Sequence, residues 1–169
     1  RADSGIASIG DLKGKRVAWG VPAQASLQPY FEGALANGGL SAADVRTVPV
    51  SSVANGVAAL VSGNVDATLF ALRGGAVAEA NSAVGGIRWL PFDDSAEAVE
   101  RMKSVAPEAY IFDVGEDAGI VGASAPFKTM AYDYVLLARE DFDADAVKAI
   151  AALIRERTSD VAASNTILG

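Results

Sequence analysis

The chain has 169 residues, 51% of them hydrophobic and 21% charged, and carries a formal net charge of −7. That length suits one core, no stretch reaches the roughly 18 uninterrupted apolar residues of a membrane helix, and the acidic balance shows no basic stripe for nucleic acid. Cys and His are both absent, which removes thiol nucleophiles, Ser-His and Cys-His pairs, disulfides and the usual zinc, copper and iron sites.

In chain order, residues 16–20 (Arg-Val-Ala-Trp-Gly) are predicted as a buried strand, followed by a loop over 21–26. A helix is expected over 27–37, stopped by Gly38-Gly39. Ser41-Ala42-Ala43-Asp44 has capping-box form and predicts one helical turn. Residues 45–50 are a second short strand. Ser51 and Ser52 suit the N-cap of the next helix, in which Val53, Val57, Leu60 and Val61 share a face and which Gly63-Asn64 ends.

Residues 65–70 are predicted as a third strand, Arg73-Gly74-Gly75 as a tight turn, 76–81 as a helix and 87–92 as a fourth strand. A helix over 96–104 follows, with Asp94 and Glu97 placed for a capping box. Residues 110–122 are punctuated by Gly and read as an exposed excursion. Residues 128–138 form one extended segment in which Tyr132, Tyr134 and Leu136 alternate. A last helix is expected over 144–158, with Val147, Ile150, Ala151 and Ile154 as its buried stripe. Residues 160–169 give no clear signal. Strands separated by helix-length segments imply an α/β fold, an open, mostly parallel sheet joined by right-handed crossovers.

Catalytic and metal motifs fail in their details. Lys13-Gly14-Lys15-Arg16 lacks the earlier Gly and the following Ser or Thr of a phosphate loop, and it precedes a strand. No G-x-G-x-x-G follows a strand, so no dinucleotide cofactor is expected. Asp141-Phe142-Asp143-Ala144-Asp145 resembles the start of a calcium loop, but Ala146 and Ala152 stand where Gly and Glu are needed. An acidic start to the last helix is the simpler reading. Asp93-Asp94 and Glu116-Asp117 are neighbours whose side chains diverge on regular structure. No enzyme, metal or cofactor is expected.

The segment Ile9-Gly10-Asp11-Leu12-Lys13-Gly14-Lys15-Arg16-Val17-Ala18 resembles the "dLkGKkVavG" opening of the second lobe of type II periplasmic binding proteins, shared with sulfonate- and nitrate-type receptors. Gly39-Leu40-Ser41-Ala42-Ala43-Asp44-Val45 is similar to the "GLt.dDv" element of the TAXI family of TRAP-transporter receptors. Residues 58–67 and 87–93 resemble that family's "aaLadGkiDA" and "irlvpid" stretches. The likeness covers roughly residues 9–154 in order. It departs at Ala23-Gln24-Ala25-Ser26, where the family is Gly-rich, and at Gly119-Ile120-Val121-Gly122, where its "tY.g" segment is not clear.

The resemblance implies a type II periplasmic-binding-protein-like lobe of a two-lobed receptor. Residues 1–138 would be the ligand-binding lobe with a crossover strand, and residues 139–169 a helix and tail belonging partly to the other lobe. The implied function is capture of a small organic anion, such as an amino acid or dicarboxylate, for TRAP transporter membrane subunits in the periplasm. Residues 1–5 show no charged-then-apolar leader, so a signal peptide is expected outside this chain. The alternatives are an ABC-type sulfonate or nitrate receptor and the effector-sensing domain of a transcription regulator.

Open α/β sheets bind ligands beyond the carboxyl ends of their strands, where helix N-termini present free N–H groups. This selects the loops 22–26, 50–53 and 71–75. Gln24, Ala25, Ser26, Ser51 and Ser52 are the candidate hydrogen-bonding positions, and Arg73 is a candidate carboxylate clamp. Tyr132, on the crossover segment, is a candidate cleft residue.

Overall fold

The structure is a computed structural model and describes residues 1–164. It contains two compact units, Arg1–Asp133 and a second beginning at Tyr134.

The first unit is built around β1, Arg16–Trp19, which pairs in parallel with β2, Arg46–Pro49, so that Arg16 faces Arg46 and Trp19 faces Pro49. Parallel neighbours need a crossover, and α1, Gln28–Asn37, supplies it after a 3-10 segment, Pro22–Leu27. The helix stops at Gly39, whose φ of 72° lets Leu40 N–H reach back to Leu35 O at 2.9 Å. The carbonyls of Ala36 and Asn37 at this end accept from the Arg101 guanidinium at 3.0 and 2.9 Å. Arg101 lies on α4, Ala96–Lys103. One side chain thus satisfies the orphan carbonyls of one helix from another.

Asn37 is 1% exposed, and its amide both donates to Asp93 O (2.8 Å) and accepts from Asp93 N–H (2.9 Å). Beneath it, Met102, Ala106 and Ala109 form a buried cluster against Tyr30 and Phe92. A second cluster joins Ile6, Ile9 and Leu12 to Val17 and Leu35. The Ser41 turn, Ala42–Asp44, forms as expected: Ser41 N–H and Oγ–H both donate to the Asp44 carboxylate, at 3.0 and 2.7 Å.

The third predicted strand survives as a single parallel bridge, Val17 to Ala67. What holds residues 65–70 beside β1 is chiefly a side chain. The Arg16 guanidinium meets Asp66 at 2.6 and 3.2 Å and Gly63 O at 2.8 Å, while Arg16 N–H also donates to Asp66 at 2.8 Å. The helix α2, Val53–Val61, runs between β2 and this segment and ends as predicted at Ser62 and Gly63. A Cβ on its Gly56 would stand 2.4 Å from Thr68 Oγ1, so the hydroxyl would have to turn to admit one.

Four expectations need correction. Residues 87–92 form no ladder; Phe92 N–H donates to Lys128 O at 3.0 Å. The excursion after Tyr110 opens with a strand, β3, Tyr110–Val114, antiparallel to β4, Phe127–Ala131. The ladder ends at Ala131, so residues 132–138 lack the strand partner that the alternating pattern presumed. The cap of α4 is Ser95, whose Oγ accepts from Ala98 N–H, while Asp94 pairs with Lys128 at 3.1 Å. The helix α3, Ala76–Ala83, is as predicted but slightly longer.

In the second unit α5 spans Ala144–Glu156, capped by Asp143, which accepts from Asp145 and Ala146 N–H at 2.8 and 3.2 Å. The expected stripe is not buried: Val147 is 41% and Ile154 44% exposed. A further helix, α6, Thr158–Ser164, occupies the start of the tail; residues 165–169 lie outside the described residues.

The hydrogen bond from Arg16 holds the Asp66 carboxyl below the usual carboxylate range. A group so depressed adds stability above its unfolded value of about 3.9, and that stability is lost as pH falls through the folded value. Asp66→Asn should therefore melt below the parent at pH 7, with the two melting curves converging below about pH 4 in circular dichroism. Asn37→Ala should cost about 2–3 kcal/mol in urea unfolding, because it strands both backbone groups of Asp93.

Candidate functional site

The two loops that leave β1 and β2 are stitched together. Val50 N–H donates to Trp19 O at 3.0 Å, and Ala23 N–H donates to Ser51 O at 3.2 Å. Val21, fully buried, fixes the base of the first loop. Gln24 departs from helical geometry inside the 3-10 segment (φ −141°, ψ 50°). Its Oε1 accepts from Val53 N–H, the first helical residue of α2, at 3.0 Å.

Ser52 is the N-cap of α2, its Oγ accepting from Asn55 N–H at 3.2 Å. The Asn55 side chain donates in turn to Ser51 Oγ. Three of the predicted residues therefore converge on one helix start: Gln24, Ser51 and Ser52. Ala25 and Ser26 are exposed on the same loop as Gln24. The N-terminal N–H groups of a helix favour an anion, and here a neutral amide oxygen occupies one of them.

The structure places the other two candidates on different partners. Arg73 is exposed, and its guanidinium donates to Ala118 O at 3.1 Å, clasping the 3-10 turn Glu116–Ala118. Tyr132 stacks on Tyr30 of α1, with ring centroids 4.0 Å apart and 17° between planes. Beside it Tyr110 Oη–H donates to Asp133 at 3.0 Å, which raises the phenol's pKa above its ordinary value.

Asn55 and Tyr30 belong to these arrangements and carried no signal in the sequence beyond helical position. Asn55 lies one turn into α2, and the Tyr30–Tyr132 contact spans distant parts of the chain. Among the described residues no three Asp or Glu side chains gather into a group able to hold a metal ion.

Apart from these loops, the first unit holds a partly open cavity of ≈170 Å³. Its wall includes Val17, Leu35, Val57, Leu60 and Trp89, and none of the predicted site residues belongs to it. No described helix is long and apolar enough to cross a membrane.

Comparison with curated proteins returned no match. The chain does match the NMT1-like family over residues 1–168, and it belongs to that family. The family is a periplasmic solute-binding one, related to the nitrate and sulfonate binding proteins. This agrees with the solute-receptor part of the resemblance read from the sequence.

Replacing Gln24 tests the helix start directly. Gln24→Ala should lower stability by about 0.5–2 kcal/mol, as loss of a cap does, whereas Gln24→Glu should keep it, since a carboxylate suits that position. Urea unfolding of the two variants measures this; no loss in Gln24→Ala would show that the Val53 bond carries no weight.

Proposed function

We propose that residues 1–138 form the ligand-binding lobe of a periplasmic solute receptor that captures a small organic anion, with residues 139–169 belonging partly to the receptor's other lobe. The observation that carries this reading is the meeting of Gln24, Ser51 and Ser52 at the start of α2. A carboxylate arriving there takes over Val53 N–H from the Gln24 amide. It gains the partial positive charge of the helix end, where a neutral oxygen gained little. The hydroxyls of Ser26, Ser51 and Ser52 are hydrogen-bonding groups within the same two loops, and the backbone N–H of Ala25 adjoins Ser26 in sequence.

Arg73 supplies the formal charge in this proposal. One of its contacts is the Ala118 carbonyl, and a carboxylate in reach of the guanidinium would make a charge-assisted pair. Tyr132 forms part of the cleft wall. No bond is made or broken in the bound solute. The protein has only to bind, close and release, and closure couples ligand contacts to the arrangement of two rigid bodies.

The finer assignment is to a TAXI-type receptor delivering amino acids or dicarboxylates to TRAP transporter membrane subunits. The motifs at residues 39–45 and 58–67 support it. A second reading, an ABC-type sulfonate or nitrate receptor, is favoured by the family's relation to those proteins. Both share the anion site and differ in the anion.

A thermal-shift screen of the intact receptor separates them. Dicarboxylates or acidic amino acids should raise the melting temperature in a saturable way, by an amount equivalent to about 2.7 kcal/mol at a hundredfold excess over Kd. Arg73→Ala should weaken that binding by about tenfold or more. A shift with sulfonates or nitrate alone would move the assignment to the ABC-type receptor, and no shift with any anion would overturn the anion site itself.

A further inference from the structure

We propose that the cavity inside residues 1–133 is a binding site of its own, for an uncharged single-ring aromatic molecule carrying one hydroxyl, of the phenol class. The proposal is independent of the anion site, because no residue of that site lines the cavity.

The space exists for a reason visible in the strands. Residues 65–70 and 87–92 have strand-like sequences, yet the first makes one bridge and the second makes no ladder. Where two segments fail to zip together, the helices over them cannot close the gap. The space beside these segments amounts to ≈170 Å³ and is partly open. Native interiors hold few voids larger than a water molecule. An apolar cavity of roughly 150 Å³ is known to stay dry and to admit benzene.

The lining fits that chemistry. Val17, Leu35, Val57, Leu60, Val77 and Leu90 supply an aliphatic wall. Trp89 and Phe127, parallel to within 6° at 6.4 Å, add aromatic surface. Water needs two to four polar partners, by a rough count, to be held in such a place. The charged side chains at the cavity have partners: Asp66 with Arg16, Arg88 with Ile6 O at 3.4 Å, and Arg1 with Asp3 at 3.3 Å.

One polar atom at this wall is unpaired. Thr68 lines the cavity, and its Oγ1 is buried with no hydrogen-bond partner. The hydroxyl lies on the Gly56 side, and a ligand hydroxyl would draw it to the cavity by one rotation between staggered positions. A buried hydroxyl without a partner is costly. A ring with one hydroxyl fills the apolar space and gives Thr68 the partner it lacks, which a plain hydrocarbon does not.

The test uses phenol and toluene as probes on the whole chain. Phenol should raise the melting temperature in a saturable way and more strongly than toluene. In methyl and indole NMR it should shift Leu60, Val77 and Trp89 in step with that saturation. Thr68→Val should erase the preference for phenol over toluene while leaving both bound. Ala80→Leu, which adds bulk at a buried lining position, should abolish binding of both. The proposal is overturned by non-saturable shifts, by shifts confined to other residues, or by an unchanged preference in Thr68→Val. Because the NMR readout is taken on the unaltered chain, an Ala80→Leu variant that fails to fold does not shield it.

Discussion

Much of the first unit hangs on the way Arg16 holds Asp66. Parallel pairing usually fixes a strand through an evenly spaced ladder, but residues 65–70 share only one bridge with β1. The guanidinium substitutes for the missing rungs. It grips the carboxylate with two nitrogens and the Gly63 carbonyl with a third, and Asp66 N–H returns a bond to Arg16 O at 2.7 Å. Such a fork fixes direction as well as distance. It sets where the segment begins, and therefore where the turn bearing Arg73 emerges. The pair is partly open to solvent, with the side chains 43% and 27% exposed. Screening limits its energetic weight, so its importance is geometric.

From that anchored centre the chain treats its helix ends unequally. The C-terminus of α1 is closed by Arg101 and by Gly39. The N-terminus of α2 is held by neutral acceptors, Gln24 and Ser52. A cation at a helix C-terminus is the electrostatically favoured arrangement. A neutral amide at an N-terminus leaves part of the favourable field unused. The difference matters for a receptor. In the proposed receptor a permanent carboxylate at α2 would compete with the solute, whereas the Gln24 amide satisfies the backbone without adding charge.

The legible parts of this fold were those specified locally. The strand at residues 16–19, the helices beginning at Gln28, Val53, Ala76 and Ala96, and the Ser41 turn each carry their own period, cap or stop signal. The failures share one cause. Residues 87–92 and 65–70 look like strands because their side chains suit a sheet, but a ladder also needs a neighbour in register. β3 was read as a loop because Asp113 and the Gly-rich residues after it mask a strand whose partner begins at Phe127. On α5 the apolar stripe is real, yet a stripe reports only that a face suits burial, not what covers it. At the site, Gln24, Ser51 and Ser52 follow from position beyond strand ends. Their mutual bonds, and those of Arg73 to Ala118 and Tyr132 to Tyr30, join residues far apart in sequence, where no periodicity reaches.

The same weakly paired segment also links the two candidate sites. Residues 66–70 line the cavity and run directly into the turn that carries Arg73. Local rules are expected to fail where a sequence serves something besides packing. Here the failure is specific: a strand held at its first residues by Arg16, then loosely accompanied, then delivered to a charged loop. A fully laddered strand would fill the cavity and fix Arg73 rigidly. A wholly unpaired one would not position it. The single bridge with its ion-pair anchor lies between these limits: Arg16 holds the segment at Asp66, and no described ladder continues past Ala67.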